Sequence, residues 1–186
     1  MKLACKRVPT NGNDSMIGLP TPEIHRVGGD ESSICASQTR SSVPFVELRN
    51  TLPSHVDIIS PFVDQLMHFI SRFRRADKFE IELASREAIA NAIVHGNQED
   101  PYKRVYVRCR CTADGGVSIT VQDEGDGFES DTVPDPTALE NLFRGSGRGI
   151  YLIKTLMDEV RFEQRGTVVH MCKKAIARPD IERETR

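Results

Sequence analysis

The sequence predicts an α+β domain: a two-layer α/β sandwich in which an antiparallel-rich sheet is covered by helices. Three observations predict it. The 8 Phe and 3 Tyr all lie between Phe45 and Phe162, which confines the material for a core to about residues 45–175. Within that stretch, segments with apolar residues three to four apart stand beside segments that alternate every two. Tight turns at Asp114-Gly115-Gly116 and Arg165-Gly166 join consecutive strands, so the strands pair antiparallel and a parallel Rossmann sheet is not expected.

Phe45-Val46-Glu47-Leu48-Arg49 alternates as a strand does. Ser54 is placed to cap a helix carrying Val56, Ile59, Val63, Leu66, Met67 and Ile70, with Pro61 near its start. A second helix is expected from Asp77 to His95, stopped by Gly96-Asn97. Strands follow at Tyr102–Cys111 and Val117–Val121 around the hairpin at Asp114. Ala138–Phe143 reads as helical, and a third core helix begins near Gly149 with Ile150, Leu152, Ile153, Leu156 and Met157. Two strands, Glu159–Gln164 and Thr167–Cys172, close the domain.

The flanks differ in composition. Residues 1–44 mix Ser, Thr, Asn, Gly and Pro without an aromatic. Such a segment buries too little apolar surface to offset ~1–2 kcal/mol of backbone entropy per residue, so a disordered tail is expected there. Residues 176–186 form a charged, frayed end. The formal net charge of -2 gives no support for a nucleic-acid or anionic-membrane role resting on bulk charge. No apolar run is long enough to span a bilayer, and no apolar stretch follows the charged start as a secretory signal requires. The 5 cysteines are odd in number and sparse, in keeping with a cytoplasmic protein rather than a disulfide framework.

Three motifs carry chemistry. The second helix is apolar on most of its circumference, yet Glu87, Asn91 and His95 recur at i, i+4 and i+8. The stripe is either a solvent-facing edge or a pocket wall, with a carboxylate to handle a proton and an amide oxygen to ligate a hard cation. Gln122-Asp123-Glu124-Gly125-Asp126-Gly127 follows a strand directly. It is a surface turn or a ligand turn, in which the glycines admit close approach and Asp123 accepts from an exocyclic amine. Gly145-Ser146-Gly147-Arg148-Gly149 opens the third helix, where amide N–H groups and the helix dipole favour phosphate. Neither a Walker lysine nor a preceding strand accompanies it, which excludes a P-loop and a dinucleotide fingerprint.

In this order the three motifs resemble the N, G1 and G2 boxes of the GHKL superfamily of ATPases, whose fold is the Bergerat type of α/β sandwich. Glu87-Ala88-Ile89-Ala90-Asn91-Ala92-Ile93-Val94-His95-Gly96 looks like the signature of the bacterial anti-sigma-factor serine/threonine kinases. The run from Gly149 to Val160 and the closing Gly166-Thr167-Val168-Val169 match the same family. The resemblance covers about residues 45–174.

It implies an ATP- and Mg2+-dependent protein serine/threonine kinase. Glu87 would be the general base, Asn91 the Mg2+ ligand and Asp123 the acceptor for the adenine amine. Thr167 would fix the adenine through its hydroxyl, and Gly125 and Gly127 would shape that side. Ser146, Gly147 and Gly149 would wrap the phosphates. His95 would cap the helix end or touch phosphate, and Arg148 or Arg144 would meet the γ-phosphate. The family often carries Glu-Arg-Ser-Gly where this chain has Arg144-Gly145-Ser146-Gly147, which displaces that arginine. The partners implied are a sigma factor and a small antagonist protein as substrate. A homodimer is compatible with them; direct binding of nucleic acid or membrane is not expected. The alternative function is a nucleotide-dependent binding switch with little or no kinase activity. Cys109-x-Cys111 and His170-x-Cys172 would make a zinc site only if their strands were neighbours.

Overall fold

The computed structural model describes residues 21–27, 44–127 and 148–175. Six strands form one sheet: β1 (Glu23–Val27), β2 (Phe45–Pro53), β3 (Arg104–Thr112), β4 (Val117–Gln122), β5 (Glu159–Glu163) and β6 (Val168–Lys173). Their order is β1-β2-β3-β4-β6-β5 and each adjacent pair is antiparallel. Three helices, α1 (Ile59–Ile70), α2 (Lys78–Ala90) and α3 (Arg148–Leu156), share one core with it. The expected sandwich is therefore the observed one.

The layers follow from residue parity. Leu48 and Leu52 of β2, Val105, Val107 and Cys109 of β3, and Ile119 and Val121 of β4 sit on one face, at most 2% exposed. Against them α1 sets Phe62, Val63, Leu66 and Ile70, α2 sets Ile81, Ala84, Ala88 and Ile89, and α3 sets Ile153. At ~25 cal/mol per Å2 of apolar surface, this cluster is the main stabilising term. The opposite face carries charge: the Glu47 carboxylate is fully buried, accepts from Arg110 Nε at 2.5 Å and also pairs with Arg49. Burial pushes the Glu47 pKa up, but the two guanidinium groups outweigh burial and hold it below the usual range.

Three expectations are corrected, and the condition for a zinc site is not met. Glu23–Val27 lies inside the stretch read as a disordered tail, yet it pairs with Phe45–Arg49 as the edge strand of the sheet. Backbone ladder bonds hold such a strand without a large apolar contribution, and Ile24 is half exposed. Ser54 does not cap the first helix. The chain makes a 3-10 turn at Val56–Ile58 whose cap is His55, with Nδ1 accepting from the Asp57 N–H at 3.3 Å. Because α1 starts only at Ile59, Pro61 falls in its first turn, where no intrahelical N–H bond is lost. The second helix is not α-helical to His95: Asn91–Gly96 is a π turn, closed by Asn97 N–H donating to Ala92 C=O at 2.8 Å. Finally, β4 lies between β3 and β6, so the Cys109/Cys111 and His170/Cys172 strands are not neighbours.

The hairpin between β3 and β4 forms as expected, with Gly115 N–H donating to Thr112 C=O at 3.0 Å and a left-handed φ of 88° at Gly115. The β5–β6 connection is longer than the expected two-residue turn: it runs from Gln164 to Thr167, and Gln164, Arg165 and Gly166 all have positive φ. The predicted helix at Ala138–Phe143 lies outside the described residues.

Candidate functional site

The polar stripe of α2 faces the start of α3. A Cβ added at Gly149 would lie 2.8 Å from Glu87 Oε2, and 3.1 and 3.3 Å from Asn91 Nδ2 and Oδ1. With no Cβ at Gly149, α3 crosses close to both side chains without pushing either aside. A carboxylate and an amide one turn apart thus sit together at the N-terminal turn of α3, where the helix dipole favours negative charge. Both offer hard oxygen donors of the kind a Mg2+ ion takes, so the residues present fit that ion.

The π turn displaces His95 from the place an α-helix would give it. Bonds spanning five residues instead of four widen the turn after Asn91. Glu87 and Asn91 keep a common face, whereas the His95 side chain is exposed. The same turn brings Gly96 against the segment after β4. A Cβ at Gly96 would lie 2.4 Å from Asp123 Cγ and 2.6 Å from each carboxylate oxygen. A Cβ at Gly125 would lie 2.2 Å from the Gly96 carbonyl oxygen.

Asp123 follows β4 directly and is 9% exposed. Its N–H donates to Thr167 C=O at 3.0 Å, and its Oδ1 accepts from Gly125 N–H at 2.8 Å. Burial pushes its pKa up, against the Gly125 N–H and the Lys103 charge, which favour the anion. A buried carboxylate with acceptor capacity to spare suits a partner that brings N–H donors. Thr167 stands next to it and donates its hydroxyl to Gln164 C=O at 3.0 Å, which leaves the oxygen free to accept. Gly127 has φ 73° and comes so close to the β5–β6 turn that a Cβ would be 2.5 Å from Arg165 C=O.

The structure thus brings Glu87, Asn91 and Gly149 together, and sets Asp123 and Gly125 against Gly96, with Thr167 bonded to the Asp123 backbone and Gly127 against Arg165. Arg148 is exposed at the first residue of α3; Ser146 and Gly147 lie outside the described residues. Among the described residues no group of three or more His, Cys, Asp or Glu is arranged to hold a metal. Two side chains escaped the sequence reading. Asn97 is fully buried and bridges Glu124 N–H to Arg104 C=O. Glu124 accepts from Arg104 N–H at 2.7 Å and the Tyr106 hydroxyl at 2.8 Å. Gly96-Asn97 carried a signal, but only as a helix stop.

An all-antiparallel sheet covered by helices, with glycine-bearing turns gathered at one end of α2, defines an α+β sandwich of the ATPase kind. Residues 51–173 match the histidine kinase-like ATPase domain, and the chain belongs to that family. Among curated relatives, the anti-sigma F factor of Oceanobacillus iheyensis is 36% identical over 100 residues, 50% of this chain and 67% of that protein. The anti-sigma F factor of Geobacillus thermodenitrificans is 35% identical over 136 residues, 70% of this chain and 83% of that protein. The serine-protein kinase RsbW of Bacillus subtilis is 34% identical over 101 residues, 50% of this chain and 62% of that protein.

Proposed function

We propose that the chain is an ATP-binding anti-sigma factor with serine/threonine protein kinase activity, which phosphorylates an anti-sigma-factor antagonist and sequesters a sigma factor. The observation that carries this reading is the meeting of Glu87 and Asn91 under Gly149, in a chain whose relatives are named as anti-sigma factors and a serine-protein kinase. In this reading Asp123 accepts from the adenine amine, with Thr167, Gly125 and Gly127 around the base. Arg148 and Gly149 at the start of α3, with Ser146 and Gly147 preceding them in the sequence, receive the phosphates. Asn91 holds Mg2+, which neutralises phosphate charge when bound.

Glu87 takes the proton of a serine or threonine hydroxyl on the antagonist. The hydroxyl oxygen bonds to the γ-phosphorus as the bond to the bridging oxygen breaks, and ADP leaves. Phosphoryl transfer asks a protein for positioning and charge neutralisation more than for covalent chemistry, which is what this donor set offers. No helix among the described residues is long and apolar enough to cross a membrane. Action on a sigma factor puts the protein in the cytoplasm.

The test pairs two variants. Glu87→Gln should retain Mg2+-ATP binding while phosphate incorporation into the antagonist falls by roughly 10²–10⁴-fold, the usual loss for a general base. Asn91→Ala should lose metal-dependent ATP binding and transfer together. Full transfer by Glu87→Gln would overturn the base assignment. A wild type that binds ATP and a sigma factor but labels no antagonist would replace the kinase by a nucleotide-dependent switch.

A further inference from the structure

We infer that Asn97 is a positioning residue for the nucleotide base: it clamps the Asp123–Gly125 turn to the end of the π turn, and Glu124 closes the clamp from the solvent side. This rests on Asp123 as the base acceptor and extends that reading to Asn97, outside the three motifs, and to Glu124 within the second.

Asn97 uses every polar atom it has. Its backbone N–H closes the π turn on Ala92 C=O at 2.8 Å. Its Oδ1 accepts from Glu124 N–H at 2.8 Å, and its Nδ2 donates to Arg104 C=O at 3.0 Å. One fully buried amide therefore joins the π turn, the start of β3 and the turn after β4. On the outer side, the exposed Glu124 carboxylate is held by Arg104 N–H and the Tyr106 hydroxyl. Residue 124 is fixed through both its backbone and its side chain. Its neighbours on either side, Asp123 and Gly125, are the residues in closest approach to Gly96.

That clearance makes the clamp matter. Gly96 backs the Asp123 carboxylate so closely that a single added carbon would overlap it. A turn that moved toward Gly96 would collide, and one that moved away would carry the carboxylate out of the ~2.7–3.2 Å window in which it accepts from an amine. Misplacement by about an ångström is costly wherever a ligand is held by geometry. Asn97 acts through the backbone of Glu124, not by touching base or phosphate.

Calorimetric titration of the full chain with a non-hydrolysable ATP analogue and Mg2+ tests the clamp. Asn97→Ala should raise Kd by about tenfold at unchanged stoichiometry, the scale of one buried hydrogen bond. Glu124→Ala, at an exposed side chain, should raise it by a smaller factor, about threefold. A purely structural Asn97 would give the opposite signature: fewer binding sites, because part of the protein is unfolded, with Kd unchanged in the rest. That outcome overturns the inference. If Asn97→Ala does not fold, Glu124→Ala decides, and a wild-type Kd there is equally fatal. Asp123→Asn measured alongside separates the two levels. A wild-type Kd in Asp123→Asn would remove the base site itself, whereas a weakened Asp123→Asn beside unaffected Asn97 and Glu124 variants would remove only the clamp.

Discussion

Around Asp123 the protein closes backbone on backbone, whereas around Glu87 and Asn91 it brings only side-chain tips against the start of α3. At the first end, Gly96, Gly125 and the Asp123 carboxylate interlock with no space for a methyl group. Hydrogen bonds donated by the Glu124 and Asp123 N–H groups to Asn97 Oδ1 and Thr167 C=O hold the same turn. At the second end, the atoms nearest Gly149 are Glu87 Oε2 and the Asn91 amide, which can swing about their own χ angles. The difference suits the proposed chemistry. A base presents the same edge throughout a reaction and can be met by a rigid seat. Phosphates and their metal change charge and position as the bond breaks, and mobile side-chain tips can follow them.

The largest effect should come from Gly125→Ala. The added carbon meets the Gly96 carbonyl at 2.2 Å, and backbone cannot rotate out of the way as a side chain can. The fold should lose about 1–3 kcal/mol, the usual range for overpacking. Nucleotide binding should fall below detection, as read by denaturant titration and calorimetry of the same preparation. Gly149→Ala probes the other end with the same carbon. There the obstacle is the far end of Glu87, and an alanine in a helix gains up to ~1 kcal/mol over glycine in backbone entropy. Its denaturation midpoint should stay level or rise, while phosphate transfer falls because the carboxylate is pushed aside. If Gly149→Ala unfolds the protein as readily as Gly125→Ala, the two ends are not built differently after all.

The same contrast explains what could be read in advance. Glu87 and Asn91 were legible because one α-helical turn puts them on one face, and the pattern needs no knowledge of the rest of the chain. His95 was placed by continuing that period, and the period changes at Asn91 where the helix becomes a π turn. Asp123 and its glycines were legible as a turn directly after a strand. Their close fit was not, because it depends on Gly96, brought near by the π turn and by sheet pairing. Asn97 shows the limit most clearly: its partner Glu124 is 27 residues away and bonds through its backbone, which no side-chain pattern encodes. The edge strand at Glu23–Val27 was hidden for a related reason. Its main-chain bonds to β2 leave no trace in composition, and its polar residues read as tail.

The smallest effect is the most discriminating, because it asks whether the rigid end is built for the fold or for a ligand. Burial raises the Asp123 pKa above its value in the unfolded chain. For a carboxylate shifted this way, the contribution to stability is complete below the unfolded pKa and is lost as pH rises through the folded pKa. At neutral pH the ionised Asp123 therefore costs the empty protein stability. Asp123→Asn keeps an oxygen for the Gly125 N–H and removes the buried charge, so at neutral pH it should melt higher than wild type, by the order of one or two degrees. That advantage should shrink as pH falls through the carboxylate range and the wild-type group is protonated. Affinity for the ATP analogue should move the other way, since the amide gives up a charge-assisted bond worth roughly 1.5–3 kcal/mol. Parallel melting curves at all pH values would mean that the Gly125 and Lys103 interactions already compensate the burial. A variant both more stable and weaker in binding would identify the carboxylate as a feature kept for its ligand against the preference of the fold.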